Sequence, residues 1–461
     1  MLATQNDIAA GSGLLERILD ARRRSDELFS LLRVESLYER PIAERHRIIF
    51  YVGHLEAFDW NLLHETVLGL KSHLPEFDRL FAFGIDPVGG GLPSDQPSDW
   101  PSLDAVRDYV ADLRATLDEQ LSKRILAPDS QESDGHARGK FSLDTLLNVA
   151  IEHRLMHVET LSYMFHQLPF DRKVRSERVR DEQENQQTLR SIPVLPRMVK
   201  IPAGAATLGL ARDSGIFGWD NEYEAQTVRV PAFNIDQFKV TNGEYLKFML
   251  AGGYDTPSFW TIEDWNWRTA NAISQPVFWR KAGDGRWFYR TMFEEVPLPL
   301  DWPVYVSQAE ASAYARWAGK LLPTEAEWHR AAYGTANGSE RTYPWGNEPA
   351  SSFGEARRGN FDFFSWDPAP VNAFPDAQSE LGVDDMLGNG WEWTSSIFAP
   401  FPGFEPFPFY SGYSANFFDG KHFVLKGGSA RTAACMLRPT FRNWFQAHYQ
   451  YVYAGFRCVS R

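Results

Sequence analysis

Two histidines four residues apart, His153 and His157 in Ile151-Glu-His-Arg-Leu-Met-His-Val-Glu159, are the strongest chemical signal in the sequence. The segment reads as helix, where positions i and i+4 share a face with Cβ atoms roughly 5–6 Å apart. Two imidazoles so placed make the local half of a metal site, and a third ligand must come from elsewhere. His54, in Phe50-Tyr-Val-Gly-His-Leu-Glu-Ala-Phe-Asp59, is the candidate; Gly53 beside it would admit a neighbouring helix or a ligand. Glu159 falls roughly opposite His157 on the helix and suits orienting a ligand or closing a buried polar contact. Spacing alone leaves two readings open, a three-histidine metal site and histidines that serve packing or the surface. His46, His64, His73, His136 and His166 are left to the surface.

The elements that must position these residues are helical. Leu14-Leu15, Ile18-Leu19, Leu28 and Leu31-Leu32 recur at helical spacing. A second helix is expected from Pro41, through Ile48, Val52, Leu55 and Leu62, to about Gly69. A Gly/Pro-rich loop, Asp86 to Pro93, precedes a third helix capped by Ser102 or Asp104 and running through Leu121. After the polar stretch 128–140, Ser142 opens the fourth, which carries the pair. Four helices with modest connections predict a four-helix bundle over 1–170, a scaffold able to hold a metal in its core.

Residues 171–196 are highly charged, end in two prolines and read as a linker. From residue 197 to 461 short strand candidates and aromatics dominate: Val199–Gly204, Thr227–Val230 and Phe233–Asp236. Helices are expected after Thr241, Ser307 and Thr324, the second closed by Gly319. Beyond Gly334 the pattern predicts mostly loops with few strands.

Composition narrows the function. The chain has 461 residues, enough for two domains, and 43% hydrophobic content to fill their cores. A net charge of −13 argues against nucleic acid, because phosphate neutralisation needs surplus Lys and Arg. Two cysteines, Cys435 and Cys458, give no disulfide framework. Neither a signal-peptide pattern nor a run of eighteen apolar residues is present. The expectation is a cytoplasmic protein with no membrane partner.

Five landmarks carry a family resemblance: Lys320-Leu-Leu-Pro-Thr-Glu-Ala-Glu-Trp328, Tyr343-Pro-Trp-Gly-Asn347, Asp385-Met-Leu-Gly-Asn-Gly-Trp-Glu-Trp393, Lys426-Gly-Gly-Ser429 and Ala454-Gly-Phe-Arg457. Residues 197–461 resemble the formylglycine-generating-enzyme (sulfatase-modifying factor) fold, a loop-rich relative of C-type lectins. The first domain resembles the DinB-like bundle, whose His-x3-His-x-Glu motif is met by His153, His157 and Glu159. That order, an α+β chain, is similar to the nonheme iron synthases of ergothioneine biosynthesis (EgtB) and their ovothiol and selenoneine counterparts.

The resemblance implies that His54, His153 and His157 bind Fe(II), leaving positions for substrates and dioxygen. It implies C–S or C–Se bond formation at C2 of the imidazole of hercynine, the trimethylated betaine of histidine, from a thiol or selenol donor. Tyr410 and Tyr413, in Pro408-Phe-Tyr-Ser-Gly-Tyr-Ser414, match the family's Tyr-x-x-Tyr pair; Tyr410 is then the catalytic donor of a proton or hydrogen atom, and Tyr413 a substrate contact. Asn443 and Trp444 fall where the family holds the betaine, and Met156 where hercynine binders often have Gln.

Departures concern the donor. Enzymes using γ-glutamylcysteine place an acid and an Arg where this chain has Phe445 and Tyr449. The cysteine-using branch carries adjacent tyrosines where Phe81-Ala-Phe-Gly stands. A less charged donor, such as a seleno-sugar, becomes credible. Formylglycine generation needs a cysteine pair at positions held by Thr432 and Leu437 and is nearly excluded. A DinB-like thiol transferase and a non-catalytic lectin-like binding protein are the remaining rivals. The loop Gly359-Asn-Phe-Asp362 is a candidate for structural Ca(II).

Overall fold

Ser142 opens the histidine-bearing helix as expected, its hydroxyl accepting the Thr145 N–H at 3.2 Å. Such a cap satisfies one of the first-turn donors that a helix cannot pair internally. The computed structural model describes residues 5–84, 91–126, 142–177, 179–180, 189, 195–348 and 357–461. The chain divides into two units, Met1–Ser176 and Glu177–Arg461. The expected loop at 86–93, the polar stretch 128–140 and much of the linker 171–196 lie largely outside the described residues.

In the first unit the long helices are α1 (Gln5–Phe29), α2 (Ile48–Leu63), α4 (Leu103–Leu126) and α5 (Leu143–Gln167), with the short α3 (Pro75–Phe83) against α2. α2 contacts α3, α4 and α5, and α1 contacts α4 and α5. Three sequence expectations need correcting. The second helix begins at Ile48 and not Pro41, because Arg47 is held extended. Its guanidinium donates to the carbonyls of Tyr38 and Asp95 and to the Asp95 carboxylate. That helix ends at Leu63, and Gly69, at φ 65°, closes the turns that follow. The sequence reading missed α3, which starts on Pro75 with Glu76 and Asp78 in its first turn. These suit the positive end of the helix dipole. The unit also runs past the expected boundary at 170. Val174 donates its N–H to Leu31 O at 2.7 Å, and Arg33 donates its own to Arg172 O at 3.1 Å.

The second unit has four small sheets. β1 (Met198–Ile201), β4 (Phe233–Asp236) and β12 (Val459–Ser460) form one, in the order β1-β4-β12, and β2 (Gly204–Leu208) pairs with β3 (Gln226–Val230). β5 (Trp279–Lys281), β6 (Trp287–Arg290) and β7 (Glu295–Pro297) form a three-stranded sheet absent from the sequence reading. The last sheet runs β10-β9-β8-β11 and contains β8 (Trp391–Ile397), β9 (His422–Lys426), β10 (Asn443–Gln446) and β11 (Ala454–Gly455). Beyond Gly334 loops dominate among the described residues, as expected, and the few strands, β8 to β12, all come after residue 390. Helices α6 (Asn242–Leu250), α8 (Gln308–Trp317) and α9 (Glu325–Tyr333) start on Thr241, Ser307 and Thr324 as reciprocal capping boxes; α7 (Ile262–Ala270) was not anticipated.

The family landmarks turn out to be framework. Arg457 is fully buried, donates to both oxygens of Glu392 at 2.6 and 2.9 Å, and reaches the carbonyls of Asp236, Gln237 and Asp384. Gly388, at φ 82°, lies so close to the Asn360 carbonyl that a Cβ would sit 2.4 Å from its oxygen. Trp328 and Met386 fill the core beneath them.

Candidate active site: a three-histidine cluster and an aromatic cluster

The histidine pair on α5 meets His54 of α2, with one ligand atom from each ring within 4.8 Å of the others. His54 Nε2 and His157 Nε2 stand 3.2 Å apart. This is the sole group of three or more His, Cys, Asp or Glu side chains able to share a cation among the described residues. Glu159 is buried but stands outside the group, as its angular offset on α5 implies.

The missed helix α3 supplies the orientation of His54. Its Nδ1–H donates to the Phe81 carbonyl at 2.6 Å, which leaves the Nε2 lone pair pointing at the other two rings. Gly53 makes this approach possible: a Cβ there would lie 2.4 Å from the Phe81 ring. Phe50 stacks on His54 at 4.7 Å and Phe58 on His153, so rotation of both imidazoles is restricted by flat apolar neighbours.

Burial dominates the electrostatics. It pushes His54 down to about 4, helped by the positive charge of His46 and Arg154 and opposed by the bond to Phe81. His153 and His157 are likewise held well below the usual imidazole range, first by burial and then by each other's neighbourhood of His and Arg cations. All three rings are therefore neutral near pH 7, the form in which imidazole ligates a metal. His157 Nδ1 is buried with no hydrogen-bond partner among the described residues. The donor set is three neutral nitrogens with no carboxylate, which fits a divalent transition metal and not a hard cation that demands oxygen.

Behind the three histidines lies an ionic lattice that sequence reasoning missed. Arg154, next to His153, is fully buried and pairs with Glu56 at 2.9 Å and Asp59 at 2.6 Å, both on α2. It also donates to Leu55 O at 3.0 Å and Ser25 Oγ at 3.3 Å, so it links α5 to α2 and α1. Glu56 further pairs with Arg114 at 2.7 Å. A visible signal existed: an Arg inside an apolar helix, and two acids three residues apart, Glu56 and Asp59, just after His54.

The second unit gathers the expected tyrosines and tryptophan into one aromatic cluster. Tyr410 and Tyr413 lie 5.5 Å apart, Tyr413 stacks on Trp219 at 4.0 Å, and Trp444 meets Tyr413 edge-on at 5.3 Å. Trp444 also lies flat on Phe398 at 4.3 Å, which covers one indole face. Asn443 and Trp444 are consecutive on β10, so their side chains point to opposite faces. β10 is an edge strand, and a ligand lying along that edge can reach both. Asn443 Oδ1 accepts the Trp444 N–H at 2.8 Å, which directs its NH2 group away from the strand. On the Asn443 face, Phe445 and Tyr449 stack at 5.0 Å with their planes 6° apart. Met156 lies on α5 in the first unit, half-buried beside His157. Neither Trp219 nor Asp220 carried any sequence signal. At the proposed calcium loop, Asn360 spends its amide on Ser365, Asp367 and Asn389.

A helical bundle with three converging neutral imidazoles, followed by an α+β domain with capped helices and small sheets, defines a two-domain class. Residues 183–461 match the sulfatase-modifying factor enzyme 1-like domain and residues 17–161 the DinB superfamily. The chain belongs to the ergothioneine-synthase-like (EgtB-like) family that combines these two domains. It is 44% identical over 242 residues to the hercynine oxygenase of Mycobacterium tuberculosis, covering 52% of this chain and 55% of that protein. It is 40% identical to the Mycolicibacterium smegmatis hercynine oxygenase, covering 56% and 60%. Ergothioneine biosynthesis protein 1 of Neurospora crassa is 30% identical over 93% of this chain and 55% of its own length. The chain thus spans little more than half the length of these relatives. No helix of the described residues is long and apolar enough to cross a membrane.

Proposed function

We propose that this protein is an Fe(II)- and dioxygen-dependent synthase that joins sulfur, or selenium, to C2 of the imidazole of a hercynine-like betaine. The observation that carries the reading is the convergence of His54, His153 and His157 as neutral, buried imidazoles in a member of this family. These three residues would hold the iron. Bound Fe(II) would couple the reduction of dioxygen to the oxidation of a carbon that is not acidic. For a thiol donor the balance is imidazole C–H plus R–SH plus O2, giving the imidazole sulfoxide and one water.

The chain's own groups have definable tasks. Tyr410 keeps its proton at neutral pH: burial, followed by the negative charge of Asp220, pushes its phenol up to about 12. A retained phenolic proton is what a donor to a reduced oxygen requires. Trp444, half-buried among Phe398, Tyr413 and Phe417, would offer a quaternary ammonium a cation–π contact worth about 0.5–2 kcal/mol, and Asn443 NH2 suits the betaine carboxylate.

A second reading concerns the donor. Phe445 and Tyr449 form a flat apolar shelf where a dipeptide donor would need charged partners. This favours an uncharged donor, such as a seleno-sugar, over γ-glutamylcysteine. The test is mass spectrometry of aerobic reactions of the iron-loaded protein with hercynine and, in turn, cysteine, γ-glutamylcysteine and a seleno-sugar. Consumption of hercynine with one donor supports the reading; no consumption with any donor refutes it.

A further inference from the structure

Trp219 and the single helical turn Asp220–Glu222 are completely buried, and together they join two segments that are distant in sequence. Glu222 accepts from Arg438 Nε at 2.8 Å and Thr440 Oγ1 at 2.6 Å, and Asn221 O accepts from Arg442 at 3.3 Å. These contacts hold the chain that leads into Asn443 and Trp444. On its other side, the Asp220 carboxylate accepts the Ser414 hydroxyl. Asn221 Nδ2 donates to the same Ser414 Oγ at 3.2 Å, and Trp219 lies flat on Tyr413.

Ser414 directly follows Tyr413 and closes the segment that contains both tyrosines. We propose that Asp220 is the positioning residue of the Tyr410–Tyr413 segment, fixing where the Tyr410 phenol stands by holding Ser414. Its second oxygen, Oδ2, is buried with no hydrogen-bond partner among the described residues, so the carboxylate is not simply neutralised by its surroundings. Burial pushes Asp220 up to about 6 despite the bonds it receives, and its charge in turn helps keep Tyr410 protonated. Structural filler at this position would not need a buried acid on the Ser414 hydroxyl.

The inference rests on Tyr410 as the donor, and its test separates the two ideas. Hydrogen exchange by mass spectrometry is followed over residues 407–414 in the full-length protein, with Asp220→Asn and Ser414→Ala. Each substitution removes or weakens a charge-assisted bond, and exchange there rises about tenfold, more for Asp220→Asn. Steady-state rates are then compared for Asp220→Asn in the native and Tyr410→Phe backgrounds. The expected result is a kcat loss of about tenfold with KM little changed, and no further loss when Tyr410 is already Phe. Unchanged exchange in both variants overturns the proposal, as does an Asp220→Asn loss that persists undiminished without the phenol. If Asp220→Asn fails to fold, Ser414→Ala decides through the same two measurements. A native protein that never consumes hercynine refutes the proposed function, while the exchange experiment still decides whether Asp220 holds the segment.

Discussion

The histidine cluster and the aromatic cluster are built by different means. In the bundle, His153 and His157 owe their mutual distance to one turn of α5, and the third ring is brought in by the contact of α2 with α5. A lattice of Arg154, Glu56 and Asp59 ties those helices together. In the second unit, Tyr410 and Tyr413 sit on turns, and their places depend on Trp219 and Asp220, nearly two hundred residues earlier in the chain. Regular backbone fixes the first site; individual side-chain contacts fix the second. The first should therefore fail through its helices and ligands, the second through single stacked or hydrogen-bonded partners.

The largest effect expected from breaking this contrast is on the metal. His153→Ala should lower Fe(II) affinity more than about a hundredfold in anaerobic titration, since even outer partners of ligands are worth 10–100-fold. Tyr410→Phe should leave iron stoichiometry unchanged in the same titration. Equal iron loss in both would erase the division of labour.

Next comes the lattice. Arg154→Met leaves Asp59 buried without its cation and Glu56 with only Arg22 and Arg114, and should cost about 3–5 kcal/mol in denaturant unfolding of the first unit. A cost below 1 kcal/mol would mean the helices do not depend on it. The pH dependence follows from Glu56. Burial alone would raise its pKa, but Arg154, Arg22 and Arg114 hold it at about 2, below the ordinary 4.5. A depressed carboxylate stabilises the fold above pH 4.5 and loses that contribution as pH falls towards 2. Unfolding midpoints should accordingly drop across that window, and drop less in Glu56→Gln.

Gly53→Ala should cost about 1–3 kcal/mol, because the new methyl must displace the Phe81 ring. The smallest effect is expected at Trp444→Leu, a rise in KM for the betaine equivalent to about 0.5–2 kcal/mol with iron binding intact. A change in kcat alone would remove Trp444 from substrate binding.

The same contrast explains what could be read from the sequence. His153 and His157 were legible because helical periodicity converts a spacing of four into a distance. The capped helices after Thr241, Ser307 and Thr324 were legible because a capping box is a local motif. His54 could only be nominated, since its approach to α5 is a tertiary fact. Phe81 was invisible because its contribution is a backbone carbonyl, which no side-chain pattern announces. Asp220 was invisible because its partner Ser414 lies far along the chain. The opposite facing of Asn443 and Trp444 needed the strand assignment of β10, which the loop expectation beyond Gly334 had obscured.

Gly53 carries one more consequence. The bond that orients His54 comes from α3, a short helix that contributes no imidazole of its own to the cluster. If the three histidines hold the proposed iron, its affinity would have a tuning dial separate from them. Small shifts of α3, set by side chains opposite Gly53, would then strengthen or slacken that grip while all three histidines stay in place. Natural drift or design could adjust the hold there without touching the histidines.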